Sequence, residues 1–273
     1  MSYYKNFELK KFNSFGLNSI AKEIWFPSSV MELQGILNKI QNEKFYILSG
    51  GTNVLLPNKI DKVVCLRNCF RPKVTIMNNK AYATAGILTS LFIKRINDAQ
   101  IPGAEGLIGM PGFLGGAITM NSGSGKYCIS DYLTSVWVMN YKGQIYKHDK
   151  KDLRFGRRYS SLQNSKEIII GGEFEFKDGK ISKETIENTI KHRASMPKYK
   201  SAGGIFVNWY CLKQNIDRIV GLEEGGATVS KSVNIITNTD NATFDDVYTL
   251  IKKIRCLVIE DLILEVKIFG DYE

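Results

Sequence analysis

Two glycine-rich stretches are the places in this chain where residue type and spacing could do chemistry. The first is Ser49-Gly50-Gly51-Thr52-Asn53, and the second runs Gly106-Leu107-Ile108-Gly109-Met110-Pro111-Gly112-Phe113-Leu114-Gly115-Gly116-Ala117. Without a Cβ the main chain reaches positive φ, and several N–H groups can converge on one anion, which suits phosphate. On its own, Gly50-Gly51 reads as a hairpin turn. Eight glycines between Gly103 and Gly125 exceed what turns need, and in the second stretch they recur every three residues. Two such ribbons with apolar flanks fit an extended dinucleotide whose pyrophosphate takes the amides; close strand packing is the alternative. The first loop lacks the Lys-Ser/Thr of a P-loop, and no GxGxxG opens a helix.

Other chemistries are poorly served. The two histidines, His148 and His192, exclude His-rich metal sites. Five scattered cysteines without a CxxC pair point to reduced thiols, not a disulfide framework or zinc ribbon. Thirty-seven Lys+Arg against 27 Asp+Glu give +10, which draws in anionic partners. No nucleic-acid-binding motif accompanies the charge, so the partner expected is an anionic small molecule. No apolar run reaches membrane-spanning length and the first residues carry no apolar signal core, so the expectation is a cytoplasmic protein without a membrane partner.

The elements that must position these loops interleave helices and strands without a regular βαβ rhythm, which predicts an α+β fold. Ser29 with Glu32 forms a capping-box pattern before Leu33, Ile36, Leu37 and Ile40, so a helix is expected over 29–41. Strands are expected at Phe45–Leu48, Val54–Leu56, Lys80–Ala85, Thr134–Asn140, Gln144–His148, Glu167–Phe176 and Leu262–Phe269. Further helices are expected around Leu88–Ala99, from Ser182 to Arg193, and after Thr243 as N-cap.

Ordered motifs then give a family resemblance: Asn13-Ser14-Phe15, SGGTNVLL at Ser49–Leu56, GLIGMPGFLGGAITMNSG at Gly106–Gly123, FGRRYSSL at Phe155–Leu162, RASMP at Arg193–Pro197, SAGGIFVN at Ser201–Asn208, GGATVS at Gly225–Ser230 and LEVKIFG at Leu264–Gly270. Together they span nearly the whole chain, which resembles the compact subtype of the UDP-N-acetylenolpyruvoylglucosamine reductase (MurB) family.

The resemblance implies a vanillyl-alcohol-oxidase/MurB-type FAD-binding fold: subdomain 1 over 1–58, subdomain 2 over 59–181 joined by strand 262–270, and a smaller α+β substrate domain over 182–261. It implies noncovalent FAD, NADPH as reductant and a UDP-linked sugar as substrate, in peptidoglycan precursor synthesis. Ser49, Gly50, Gly51, Thr52, Asn53, Gly106, Gly109, Pro111, Gly112, Gly115, Gly116 and Asn121 would bind the cofactor, and Asn208 the substrate. Arg158 matches the family arginine and Glu265 the glutamate that hold the substrate carboxylate and stabilise the enolate. The family's proton-donating serine is replaced by Gly204, and the same motif has Val207 for lysine and Trp209 for proline. Water, Ser201 or Cys211 are the replacement donors the sequence offers. Two alternatives stay open: a diverged member acting on a different nucleotide sugar or acidic substrate, and a catalytically inactive nucleotide-sugar-binding paralogue.

Overall fold

The computed structural model describes residues 1–177, 179–197 and 199–272. It is α+β, and it divides into two compact units. Unit 1 comprises Met1–Ser2, Trp25–Ser49 and Val64–Ser195; unit 2 comprises Tyr3–Ile24, Gly50–Val63 and Met196–Glu273. These units cut across the expected subdomains, because the chain passes between them inside the strands Ile20–Phe26 and Lys59–Cys65 and again after Ser195.

Unit 1 is built on a five-stranded antiparallel sheet in the order Ile145–Asp149, Leu133–Asn140, Glu167–Glu175, Lys80–Thr84, Val74–Met77. The helices Val30–Ile40 and Thr89–Asp98 bury Leu33, Ile36, Leu37, Ile40, Phe92, Ile93 and Ile96 in its core. A short helix, Leu114–Thr119, lies against the central strand: a Cβ on Gly172 would sit 3.1 Å from Ile118 Cδ1. The Val30–Ile40 helix is capped by Ser29, whose Oγ accepts from Glu32 N at 3.2 Å. The reciprocal half of the expected box shifts upstream, since the Glu32 carboxylate accepts from Ser28 N and Ser28 Oγ.

Unit 2 carries a three-stranded antiparallel sheet, Glu223–Glu224, Ala227–Val229 and Ile236–Asn238. The helix Phe244–Leu257 buries Phe244, Val247, Leu250, Ile251 and Ile254 in the same core as Ala227, Val229 and Ile236. Its Thr243 cap is a complete box, with Asp246 N donating to Thr243 Oγ1 and Thr243 N donating to Asp246 Oδ2.

The closing segment forms regular strand only at Lys267–Ile268, parallel to Val54–Leu55. It therefore belongs with the first glycine loop in unit 2, where the sequence reading joined it to 59–181. Hydrogen bonds from Lys267 N to Asn53 O (3.1 Å) and from Phe269 N to Leu55 O (3.1 Å) fix it there.

Candidate active site

Within unit 1 the second glycine ribbon is partly spent on protein packing and partly left open. A Cβ on Gly106 would fall 2.0 Å from the Tyr127 ring, and one on Gly115 would fall 3.0 Å from Ala85 Cβ, so these two glycines serve close packing. Gly109 and Gly112 take φ of +70° and +83°, a conformation that glycine adopts without strain. Around Gly116 and Gly125 no atom lies within 4 Å of an added Cβ. Pro111 and Gly116 are exposed.

Arg158 sits in the turn of the hairpin Phe155–Gly156 and Tyr159–Ser160. Its φ is +55°, a left-handed conformation costing a non-glycine residue about 1–2 kcal/mol. Surrounding bonds hold it there: Gln163 Nε2 donates to Arg158 O at 2.9 Å, and Arg158 Nη2 donates to Gly123 O at 2.8 Å.

Asn121, expected to bind cofactor, is buried and hydrogen-bonded to main chain. Its Nδ2 donates to Gly156 O at 2.8 Å and its Oδ1 accepts from Ser130 N at 3.2 Å. It steadies the hairpin that presents Arg158.

Arg193 is the unit 1 residue that the reading named only inside a motif. Its Cγ lies 3.5 Å from the Gly109 Cβ position and its Nε donates to Ile108 O at 3.4 Å. Burial lowers its pKa, and the Arg158 charge lowers it further. Two mutually repelling guanidinium groups beside bare backbone favour an anion between them. A nearby groove of about 370 Å³ is lined by Gly106, Gly125, Lys126, Tyr127, Asn188 and His192.

In unit 2 the first glycine loop is tied to its neighbours. Gly51 has φ +69° and its Cβ would fall 1.9 Å from Phe12 O, so its bareness admits the neighbouring backbone. Gly51 O accepts from Ser14 N at 2.9 Å, while Ser14 Oγ is buried with no hydrogen-bond partner. Ser49, Gly50 and Thr52 complete the loop and are half-buried. Asn53 is used as a tie: its Nδ2 donates to Glu265 O at 3.0 Å.

Glu265 is thereby positioned from both sides, because its own N–H donates to Ile205 O at 2.7 Å. Next to it stands Gly204. A Cβ there would lie 2.9 Å from Asn234 Nδ2 and 3.2 Å from Glu265 Oε2. Asn234 is clamped on Phe206, accepting from its N–H at 2.9 Å and donating to its carbonyl at 3.0 Å. Asn208, expected to bind substrate, is tied to main chain in the same manner. Its Nδ2 donates to Asp261 O at 2.8 Å and its Oδ1 accepts from Ile263 N at 2.9 Å, which ties the glycine motif to the closing segment.

Within unit 1, bare, open backbone at Gly109–Gly116 and the two guanidinium groups form a donor set that fits a large anionic cofactor such as FAD. Among the described residues no His/Cys/Asp/Glu group could hold a metal ion, and no helix is long and apolar enough to cross a membrane.

No protein-family model matches the chain. It is 32% identical to a UDP-N-acetylenolpyruvoylglucosamine reductase of Caldanaerobacter subterraneus, over 98% of this chain and 94% of the relative. It is 30% identical to one of Prochlorococcus marinus, over 97% and 96%. The crystal structure of UDP-N-acetylenolpyruvylglucosamine reductase from Thermus caldophilus superposes with a TM-score of 0.78 at 25% identity, covering 98% of both chains. By these full-length likenesses, on the fold and glycine loops described, the chain belongs to the UDP-N-acetylenolpyruvoylglucosamine reductase (MurB) family of FAD-dependent oxidoreductases.

Proposed function

We propose that the chain reduces the enolpyruvyl ether of a UDP-linked amino sugar with NADPH, acting in the cytoplasm, with Arg158 and Glu265 at the reacting carboxylate. What supports this most is Arg158, held at φ +55° by its hairpin although the turn could be made without strain by glycine. A planar guanidinium binds a carboxylate by two parallel hydrogen bonds, and as negative charge builds toward the enolate those bonds strengthen. Arg193 adds a second positive charge, and the Gly109–Gly116 ribbon is the stretch that would hold the noncovalent cofactor. FAD, when bound, accepts hydride from NADPH and delivers it to the substrate. Asn53, Asn121 and Asn208 act by positioning: each uses its amide to fix the loop or strand that carries a reacting group.

A second reading, a related but different acidic nucleotide-linked substrate, is favoured by Gly204, Val207 and Trp209 in the motif where the family has serine, lysine and proline. One experiment addresses both. The yellow holoenzyme is bleached anaerobically with NADPH and then mixed with UDP-N-acetylglucosamine enolpyruvyl ether. Return of the flavin colour with stoichiometric product supports the first reading. Bleaching without reoxidation moves the assignment to the second, and a preparation that binds the nucleotide sugar but no flavin would make the chain an inactive binder.

A further inference from the structure

The missing serine leaves no empty space. Of the three heavy atoms nearest to where the Cβ of residue 204 would stand, two are Nδ2 and Cγ of Asn234 and the third is Oε2 of Glu265, 3.2 Å away. An amide does not give up a proton at neutral pH; a carboxyl group does. Cys211, one alternative donor, has its Sγ 3.8 Å from Asn208 Nδ2, on the side of the motif that ties to Asp261. We propose that Glu265 is the proton donor of the reduction in this chain, filling the role left by the Ser-to-Gly replacement at 204. This rests on the reductase reading above.

The backbone supports the assignment. Glu265 N donates to Ile205 O, Val207 N donates to Ile263 O and Phe206 bridges Leu264, so the closing segment runs alongside the glycine motif for three residues. On the motif's other side Ile205 N donates to Asn234 O, and the Asn234 side chain takes both polar groups of Phe206. Gly204 is thus bracketed by two elements in fixed register. The main chain fixes the position from which the Glu265 side chain reaches it.

In the step itself the electron pair of the enolate forms the new C–H bond at the α-carbon. The O–H bond of Glu265 breaks, and the carboxylate left behind regains a proton from water. The two electrons come from NADPH, so the sequence balances as one hydride and one proton added across the double bond.

The test follows reoxidation of NADPH-bleached holoenzyme by UDP-N-acetylglucosamine enolpyruvyl ether in single turnover. Glu265→Gln keeps shape and hydrogen bonding but cannot donate a proton, so reoxidation slows by about 10²–10⁴-fold, while bleaching by NADPH continues. In Glu265→Ala, added formic or acetic acid restores the rate by about tenfold or more in a saturable manner. Formamide and acetamide, of the same shapes, do not. Rescue by the amides as well, no rescue by the acids, a Gln variant near the wild-type rate, or a loss confined to binding would each overturn the assignment. Failure of the wild type to bleach, or to be reoxidised by this compound, would instead remove the reductase reading.

Discussion

At the scale of single residues, asparagine does the work of scaffolding, and the proposed function gives arginine that of recognition. Four asparagines near the glycine loops use their amides on main chain: Asn121, Asn53, Asn208 and Asn234. Replacing Asn121 with Ala leaves Gly156 O and Ser130 N without partners in a buried place, at about 1–3 kcal/mol each. A drop of about 2–6 kcal/mol in unfolding free energy, read from urea denaturation, is therefore expected. Arg158→Lys retains the charge but loses the paired geometry. Losing one charge-assisted hydrogen bond, about 1.5–3 kcal/mol, corresponds to about a 10- to 100-fold fall in kcat/KM for the nucleotide sugar. Reduction of the flavin by NADPH should be little affected, and equal losses in both half-reactions would contradict a role at the substrate carboxylate.

The secondary-structure elements were legible in proportion to how strongly one face is buried. The helices beginning after Ser29 and Thr243 could be read because their apolar residues repeat at helical spacing and their caps are present. The strand Ser2–Glu8 gave no such signal, since all but one of its residues are exposed and no alternation survives. The closing strand was overestimated: outside Lys267–Ile268 its hydrogen bonds go to loop backbone at Ile205 and Val207, which no sequence period records. The glycine ribbons were readable as bare backbone, but which glycines face protein depends on partners distant in sequence, such as Phe12 for Gly51 and Tyr127 for Gly106. The asparagine ties were missed for the same reason: an amide that caps backbone and one that binds a ligand look identical in a motif.

The five-stranded sheet also carries a prediction. The Glu173 carboxylate on its central strand accepts from Ser135 Oγ (2.8 Å), Trp137 Nε1 (3.0 Å) and Lys147 Nζ (2.7 Å). Burial pushes its pKa up, but the hydrogen bonds from Lys147, Trp137 and Ser135 outweigh this and hold it below the ordinary value of 4.5. A carboxyl whose folded value lies below its unfolded value stabilises the protein above the unfolded value, and that stability is lost as pH falls through the folded one. Urea midpoints of wild type and Glu173→Gln should therefore differ at neutral pH and converge on acidification below about 4.5. A constant gap across that window would show that the carboxylate is not the source.

For the whole molecule, a ligand that binds only the folded chain stabilises it by mass action. With FAD at 100 times its Kd the gain is about 2.7 kcal/mol, a rise of several degrees in Tm. The rise should grow with FAD concentration, and a flat melting curve would argue against a flavin site. The +10 net charge leads to a further expectation, that nucleotide-sugar binding weakens with added salt, since exposed charges are screened over about 8 Å at physiological ionic strength.

The bracket around Gly204 also governs what can stand there. Any side chain at 204 would bring a Cβ within 2.9 Å of an amide that is pinned twice to Phe206. A larger residue is therefore admitted only where Asn234 gives way with it, which couples two positions thirty residues apart in the chain.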